Sequence, residues 1–171
     1  VPRMSCMKGK TSVLSAEEMR VLLDSIAVQD KKGKPRLIGL RDRALIGLMG
    51  YTFARVGATV GLKVEDYYIQ KRRGWIRLHE KGGKVTELPC HHNLEQFLDE
   101  WLSVSGLASE PTAPLFPTFS HHELTRLHLA QADVHSMIQR RAIGAGIATK
   151  ISSHSSRATD ITTHLPNGRK L

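Results

Sequence analysis

The chain has 171 residues, 25 of them Lys or Arg against 16 Asp or Glu, for a net charge of +9 with histidine neutral. That length suits one domain with a real core rather than a two-domain enzyme, and the charge favours polyanionic partners, nucleic acid first. No stretch approaches the roughly 18 apolar residues that cross a bilayer, and two cysteines, Cys6 and Cys90, are too few for a disulfide framework or a zinc motif, so a soluble, cytoplasmic protein is expected.

Residues 1–13 are polar and basic without an apolar period and are read as a linker remnant, with the domain over 14–171. Ser15 and Glu18 then have the spacing of a capping box, Leu14 and Met19 that of a hydrophobic staple, and Met19, Leu22, Leu23 and Ile26 follow a helical period. The basic turn KKGKPR at 31–36 separates this helix from a second over 37–52, with Leu45, Leu48 and Met49 on one side, and a third spans about 54–62. The pattern next becomes alternating, predicting strands at 67–70, 75–79 and 85–88 joined by the turns KRRG (71–74) and KGGK (81–84). Leu94, Phe97, Leu98, Trp101 and Leu102 mark a helix ended by Gly106, and PTAPLFPTF at 111–119 reads as a loop. Val134, Met137, Ile138 and Arg141 lie on a further helix that stops near Gly144 or Gly146, and a last one follows His154.

Four polar residues stand where the local pattern does not require them. Arg55 opens a helix of small apolar residues, at the end of the macrodipole that disfavours a cation, which suits a side chain kept for an anion. Lys81 sits beside two glycines that let the backbone approach a phosphate chain. His154 and Arg157, spaced i, i+3 behind Ser152 and Ser153, share one face of a helix start. Taken singly, each has a plainer explanation as surface, turn or chance.

In order and in context these residues resemble the tyrosine recombinase (phage integrase) family, over nearly everything from Leu14 to Leu171. The resemblance is carried by LSAEEMRVLLDSI, GLRDRALIGLMGYTFARVGATVGLKVEDY, HEKGGKVTELPCHHNLEQFL, IQRRAIGAGI and, most specifically, HSSRATDITTHL. It implies an α+β, mainly helical catalytic domain with a small three-stranded antiparallel sheet. Double-stranded DNA is the implied partner, with other protomers assembled on it, and no membrane, cofactor or metal is implied. By resemblance, Arg55 is the first catalytic arginine, Lys81 the hairpin lysine, and His154 and Arg157 the second basic motif. Two arginines suit the added negative charge on a phosphodiester under attack. Lys81, with Lys84 as fallback, suits protonation of the departing 5′ oxygen, and His154 suits acceptance of the nucleophile's proton. Phosphate contacts are expected from Lys31, Lys32, Lys34, Arg36, Lys71, Arg72, Arg73, Lys84, Arg140 and Arg141.

Two departures stand out. The family's nucleophilic tyrosine lies some tens of residues past the second motif, whereas 14 residues follow Arg157 here, and Tyr51, Tyr67 and Tyr68 read as packing and strand residues. The expectation is a catalytic body truncated before its nucleophile and inactive alone. Ala58 stands where many relatives carry a glutamate that braces the site. The competing reading is a non-catalytic DNA-binding module. A metal site on the pairs His91–His92 and His121–His122 is a weaker rival, since adjacent histidines point in different directions and no Cys or carboxylate completes a zinc-like spacing.

Overall fold

The structure, a computed structural model, describes residues 14–147. His154, Arg157 and the last expected helix lie outside the described residues.

The first helix, α1 (Ala16–Ser25), begins as its sequence predicts. Ser15 Oγ accepts the Glu18 N–H at 3.0 Å and Glu18 Oε1 accepts the Ser15 N–H at 2.9 Å, closing the capping box. Leu14, Met19, Leu22 and Leu23 are buried on one side. Helix α2 (Leu37–Thr52) keeps its expected bounds but not its expected one-sidedness. Residues 39–42 and 44–50 are all buried, so α2 is the central element of the domain, packed between α1 and α4 (His92–Ser105). A helix buried all round has to be apolar all round or pair its charges.

The exceptions on α2 are Arg41 and Asp42, 8% and 2% exposed. Asp42 Oδ1 accepts from Arg41 Nε (3.0 Å) and Nη2 (2.8 Å), while Oδ2 accepts from Arg141 Nη2 (2.9 Å) and Nε (3.2 Å). Arg141 belongs to α5 (Gln131–Gly144), so the pair becomes an Arg–Asp–Arg triad joining two helices. Arg41 Nη1 continues it, donating to the Pro117 carbonyl at 2.9 Å.

Five-residue α3 (Val56–Val60) is much shorter than the expected 54–62, because Gly61 and Leu62 fold back on its last turn before the chain bridges from Lys63 to Pro114. Strands β1 (Tyr67–Gln70), β2 (Arg73–His79) and β3 (Val85–Pro89) form an antiparallel sheet in that order, with Tyr67 opposite Ile76 and His79 opposite Val85. The first turn is tighter than KRRG: only Lys71 and Arg72 form it, with φ of 53° and 63°, and Arg73 and Gly74 already pair as strand. Helix α4 ends at Gly106 with φ 79°, the left-handed cap expected there.

The 111–119 segment is not loop throughout. Pro117–Ser120 is a strand, β4, that pairs antiparallel with β5 (Glu123–His128), adding a second, two-stranded sheet to the expected three strands. Its turn is His121–His122, with φ of 50° and 70°. Neither is the Asn or Gly that marks such turns in a sequence. Proline is tolerated at Pro117 because it opens an edge strand.

The triad makes a sharp energetic prediction. Asp42→Ala leaves the buried Arg41 guanidinium and the partly buried Arg141 one without their carboxylate and lowers unfolding free energy by about 3–5 kcal/mol in urea titrations. Replacing Arg41, Asp42 and Arg141 together by apolar residues of similar bulk should recover most of the loss; a single Asp42→Ala change costing under about 1 kcal/mol would contradict the arrangement.

Candidate functional site

Three short features converge at one end of α3. Phe53, left-handed at φ 59°, closes α2 by donating its N–H to the Met49 carbonyl and turns the chain. Arg55 follows in extended conformation, and its carbonyl accepts both the N–H and Oγ1 of Thr59, each at 3.0 Å. Thr59 is fully buried, so the Arg55 backbone is fastened to the core while its side chain is exposed. With a single turn behind it, the macrodipole of α3 contributes little, and anchoring of the backbone is the better account of how Arg55 is placed.

Opposite stands the β2–β3 connection. Glu80 N–H donates to the Lys84 carbonyl at 2.7 Å, and Lys81–Gly83 forms one tight 3₁₀ turn in which Gly82 and Gly83 take φ of 82° and 79°. Those angles favour glycine, so both positions are needed to present Lys81 at the tip. Helix α5 supplies the third feature through its first residue, Gln131, whose Nε2 would lie 3.0 Å from a Cβ placed on Gly57. Arg55, Lys81 and Gln131 line one open cleft of about 480 Å³, together with Gly57, Ala58, His79 and Glu80. Ala58, where a bracing glutamate was looked for, contributes only a methyl group to the wall. Among the described residues neither Arg55 nor Lys81 has a carboxylate partner, unlike Arg43, Arg77 and Arg126.

His79 was not singled out from sequence, and neither were Asp66 and Gln131. Asp66 is 3% exposed; its Oδ2 accepts the Lys63 N–H at 2.9 Å and its Oδ1 lies 3.0 Å from His79 Nε2 and 3.7 Å from Arg77 Nη1. His79 also lines a second cleft of about 340 Å³ with Lys63, Asp66 and Arg77. The only sequence cue was its place two residues before Lys81.

The other expected phosphate contacts are spread over separate surfaces. Lys31, Lys32, Lys34 and Arg36 sit on an exposed turn organised by Asp30, whose carboxylate accepts the N–H groups of Lys32 (2.8 Å) and Lys34 (2.9 Å) and is held below its ordinary titration range by them. Lys71 and Arg72 form the β1–β2 turn, with exposed Arg73 beginning β2, and Lys84 closes the Lys81 turn. Arg140 and Arg141 line a concavity of about 270 Å³ beside Arg41 and Asp42, with Arg140 exposed and Arg141 engaged by Asp42.

None of the tyrosines reaches the cleft. The Tyr67 hydroxyl donates to Asp99 Oδ1 at 2.8 Å, and burial together with that carboxylate raises its titration well above the ordinary phenol range. Desolvation and Glu87 also raise that of Tyr68, which lies under the Arg77 guanidinium. Tyr51 stacks on His91 and accepts from Asn93 Nδ2. The histidine pairs have structural employment: His91 stacks on His92, with its titration lowered by burial and by that neighbour, and His121–His122 makes a turn. Among the described residues no three His, Cys, Asp or Glu side chains group as metal ligands, and no helix is long and apolar enough to cross a membrane.

The Phage integrase family model matches residues 12–168. The chain belongs to the phage integrase family. It is 31% identical over 157 residues to the tyrosine recombinase XerD of Mycobacterium leprae, covering 91% of this chain and 48% of the relative. It is 32% identical over 130 residues to XerC of Pseudomonas aeruginosa, covering 74% and 40%. The chain therefore spans about half the length of these curated relatives or less. Among solved structures it resembles a XerH site-specific recombinase bound to a palindromic difH substrate, with TM-score 0.61 at 24% identity over 91% of this chain and 40% of that one. The lambda integrase catalytic core gives TM-score 0.59 at 16% identity over 90% and 84%. These likenesses establish the α+β catalytic-core fold with its three-stranded antiparallel sheet.

The β1–β2 turn of this core carries two left-handed non-glycine residues. Replacing Lys71 and Arg72 by Asn and Gly, the pair such a turn prefers, should raise Tm by about 2–4 °C in calorimetry, and a fall would argue against the geometry.

Proposed function

We propose that this domain holds the scissile phosphodiester of duplex DNA in a site-specific recombination reaction. The observation that carries this reading is the meeting of Arg55 and Lys81, 26 residues apart in sequence, in one exposed cleft without carboxylate partners among the described residues. Two cations left unneutralised in a concave site suit a phosphate, and the relatives' recombinase identity supports DNA as its bearer.

In this reading Arg55 and Arg157 clamp the nonbridging oxygens as a tyrosine oxygen attacks phosphorus, His154 takes the tyrosine proton, and Lys81 gives a proton to the departing 5′ oxygen. The products are a 3′-phosphotyrosine linkage and a free 5′ hydroxyl, and the reverse attack by a 5′ hydroxyl rejoins the strand. The phosphate charge is met by side chains throughout, so no metal ion is invoked. Tyr51, Tyr67 and Tyr68 are committed to packing and hydrogen bonds away from the cleft, and the nucleophile is assigned to a residue outside these 171. The basic turns at 31–36 and 71–73, with Lys84 and Arg140, contribute phosphate contacts along the duplex, on which protomers assemble, whereas the Arg141 guanidinium stays with Asp42.

Alone, the 171 residues should bind duplex DNA with affinity that falls steeply with salt and should trap no covalent adduct on a nicked suicide substrate. Joined to a C-terminal tyrosine segment, the protein should trap a 3′-phosphotyrosine adduct, and Arg55→Ala or Arg157→Ala should abolish trapping with the thermal transition preserved. Adduct formation by the 171 residues themselves would refute the nucleophile assignment, undiminished trapping by either arginine variant would refute that residue's role, and no trapping by the extended protein would leave a non-catalytic DNA-binding module.

A further inference from the structure

His79 ends β2 at the boundary of two clefts, sharing one with Arg55 and Lys81 and the other with Lys63, Asp66 and Arg77. Its ring is held from one side. Asp66, almost wholly buried, can only accept as a carboxylate, so the proton of the neutral ring resides on Nε2, 3.0 Å from Asp66 Oδ1. Nδ1 has no partner among the described residues, and the side chain is 55% exposed. A neutral ring so held presents a lone pair at Nδ1, which repels an anion. Protonation turns the same atom into a donor, without moving the ring and with Asp66 retained as counter-charge.

We propose that His79 is a further phosphate ligand of the Arg55–Lys81 cleft, binding through Nδ1–H, and that DNA binding there takes up a proton on this residue. The proposal rests on the reading of the cleft as a phosphodiester site. The charged groups around His79 come from every neighbouring element: Asp66 and Glu65 from the 3₁₀ turn before β1, Lys63 from the segment ahead of it, Arg77 from β2, Glu80 and Lys81 from the hairpin, and Arg55 from the start of α3. Glu80 accepts the Thr86 hydroxyl, and Asp66 is shared between His79, Arg77 and the Lys63 N–H, so these two carboxylates are engaged within the protein, while Glu65 lines only the second cleft. Arg55 and Lys81 remain for the anion.

The test is duplex binding by the chain at pH 6 and pH 8, over a range of salt, for wild type, His79→Gln and His79→Lys. With His79 protonated against the bound phosphate, wild type should bind more tightly at pH 6 than His79→Gln by about fivefold, with a steeper dependence of log K on log salt by about 0.9, the signature of one additional phosphate contact. At pH 8 the two should bind alike. The remaining histidines contribute equally to all three proteins and cancel in the comparison. His79→Lys should bind as tightly as acidic wild type at both pH values. A His79→Gln protein with the same pH increment as wild type, or a lysine variant no tighter than the glutamine one, overturns the inference alone. Absence of duplex binding by every variant, or binding indifferent to Arg55→Ala and Lys81→Ala, overturns the reading of the cleft and this inference with it.

Discussion

The buried carboxylate of Asp42 is the constraint on which the rest of the domain is arranged. Both its oxygens are spent on guanidinium groups, Arg41 from its own helix and Arg141 from α5, and Arg41 reaches on to the Pro117 carbonyl at the start of β4. The Arg41 guanidinium also lies 5.0 Å from the centre of the Phe119 ring. One ion therefore registers the central helix against α5 and against the second hairpin. Such a group adds little net stability over an apolar replacement, but its geometry is stringent, because any shift of α5 along α2 strands a charge in the core. The cleft inherits that register. Arg55 stands at the far end of α2, past the Phe53 turn, and Gln131 at the beginning of α5.

Other close approaches work with it. Gly39 lies against the Ala27 carbonyl so tightly that an added Cβ would sit 1.9 Å from the oxygen. The end of α1 is thereby pressed onto the start of α2, and the exposed turn bearing Lys31, Lys32 and Lys34 springs from that contact. Farther along, Arg43 pairs with Glu100 and lies over Phe97, fixing α2 against α4. A helix as enclosed as α2 tolerates charges only where each finds a partner of this kind.

What was legible in the sequence is what local chemistry decides. The Ser15–Glu18 capping box, the Gly106 cap, the three strands and the Lys81 hairpin all appear where short-range rules put them, since each depends on residues within a few positions. What was illegible depends on distant partners or on disfavoured backbone. Arg141 reads as a helix-surface cation until Asp42, 99 residues earlier, comes to meet it. The β4–β5 hairpin is hidden because its turn uses two histidines in left-handed conformation and its first strand opens on proline. In α3 the apolar stretch suggested a longer helix, but Gly61 and the bridge from Lys63 to Pro114 take over the chain.

The arginines of the domain divide by how their charge is met, and the division bears on function. Arg20, Arg41, Arg43, Arg77, Arg126 and Arg141 each lie beside a carboxylate. Arg55, like Arg36, Arg72, Arg73 and Arg140, has none among the described residues, and it is the one of these five that lines the cleft with Lys81, its carbonyl fastened to buried Thr59. A fixed backbone with an uncommitted guanidinium suits an external anion: the donor needs no partner broken to bind, and only its side-chain rotamers remain to be ordered when it does. Lys81 is presented differently, from a turn of two left-handed glycines at the tip of a hairpin. The two elements that carry the cations thus differ in kind: the Arg55 backbone is tied to a buried threonine of the core, whereas that of Lys81 stands on an exposed turn, so the phosphate charge proposed for the cleft is met from a fixed wall on one side and from a hairpin tip on the other.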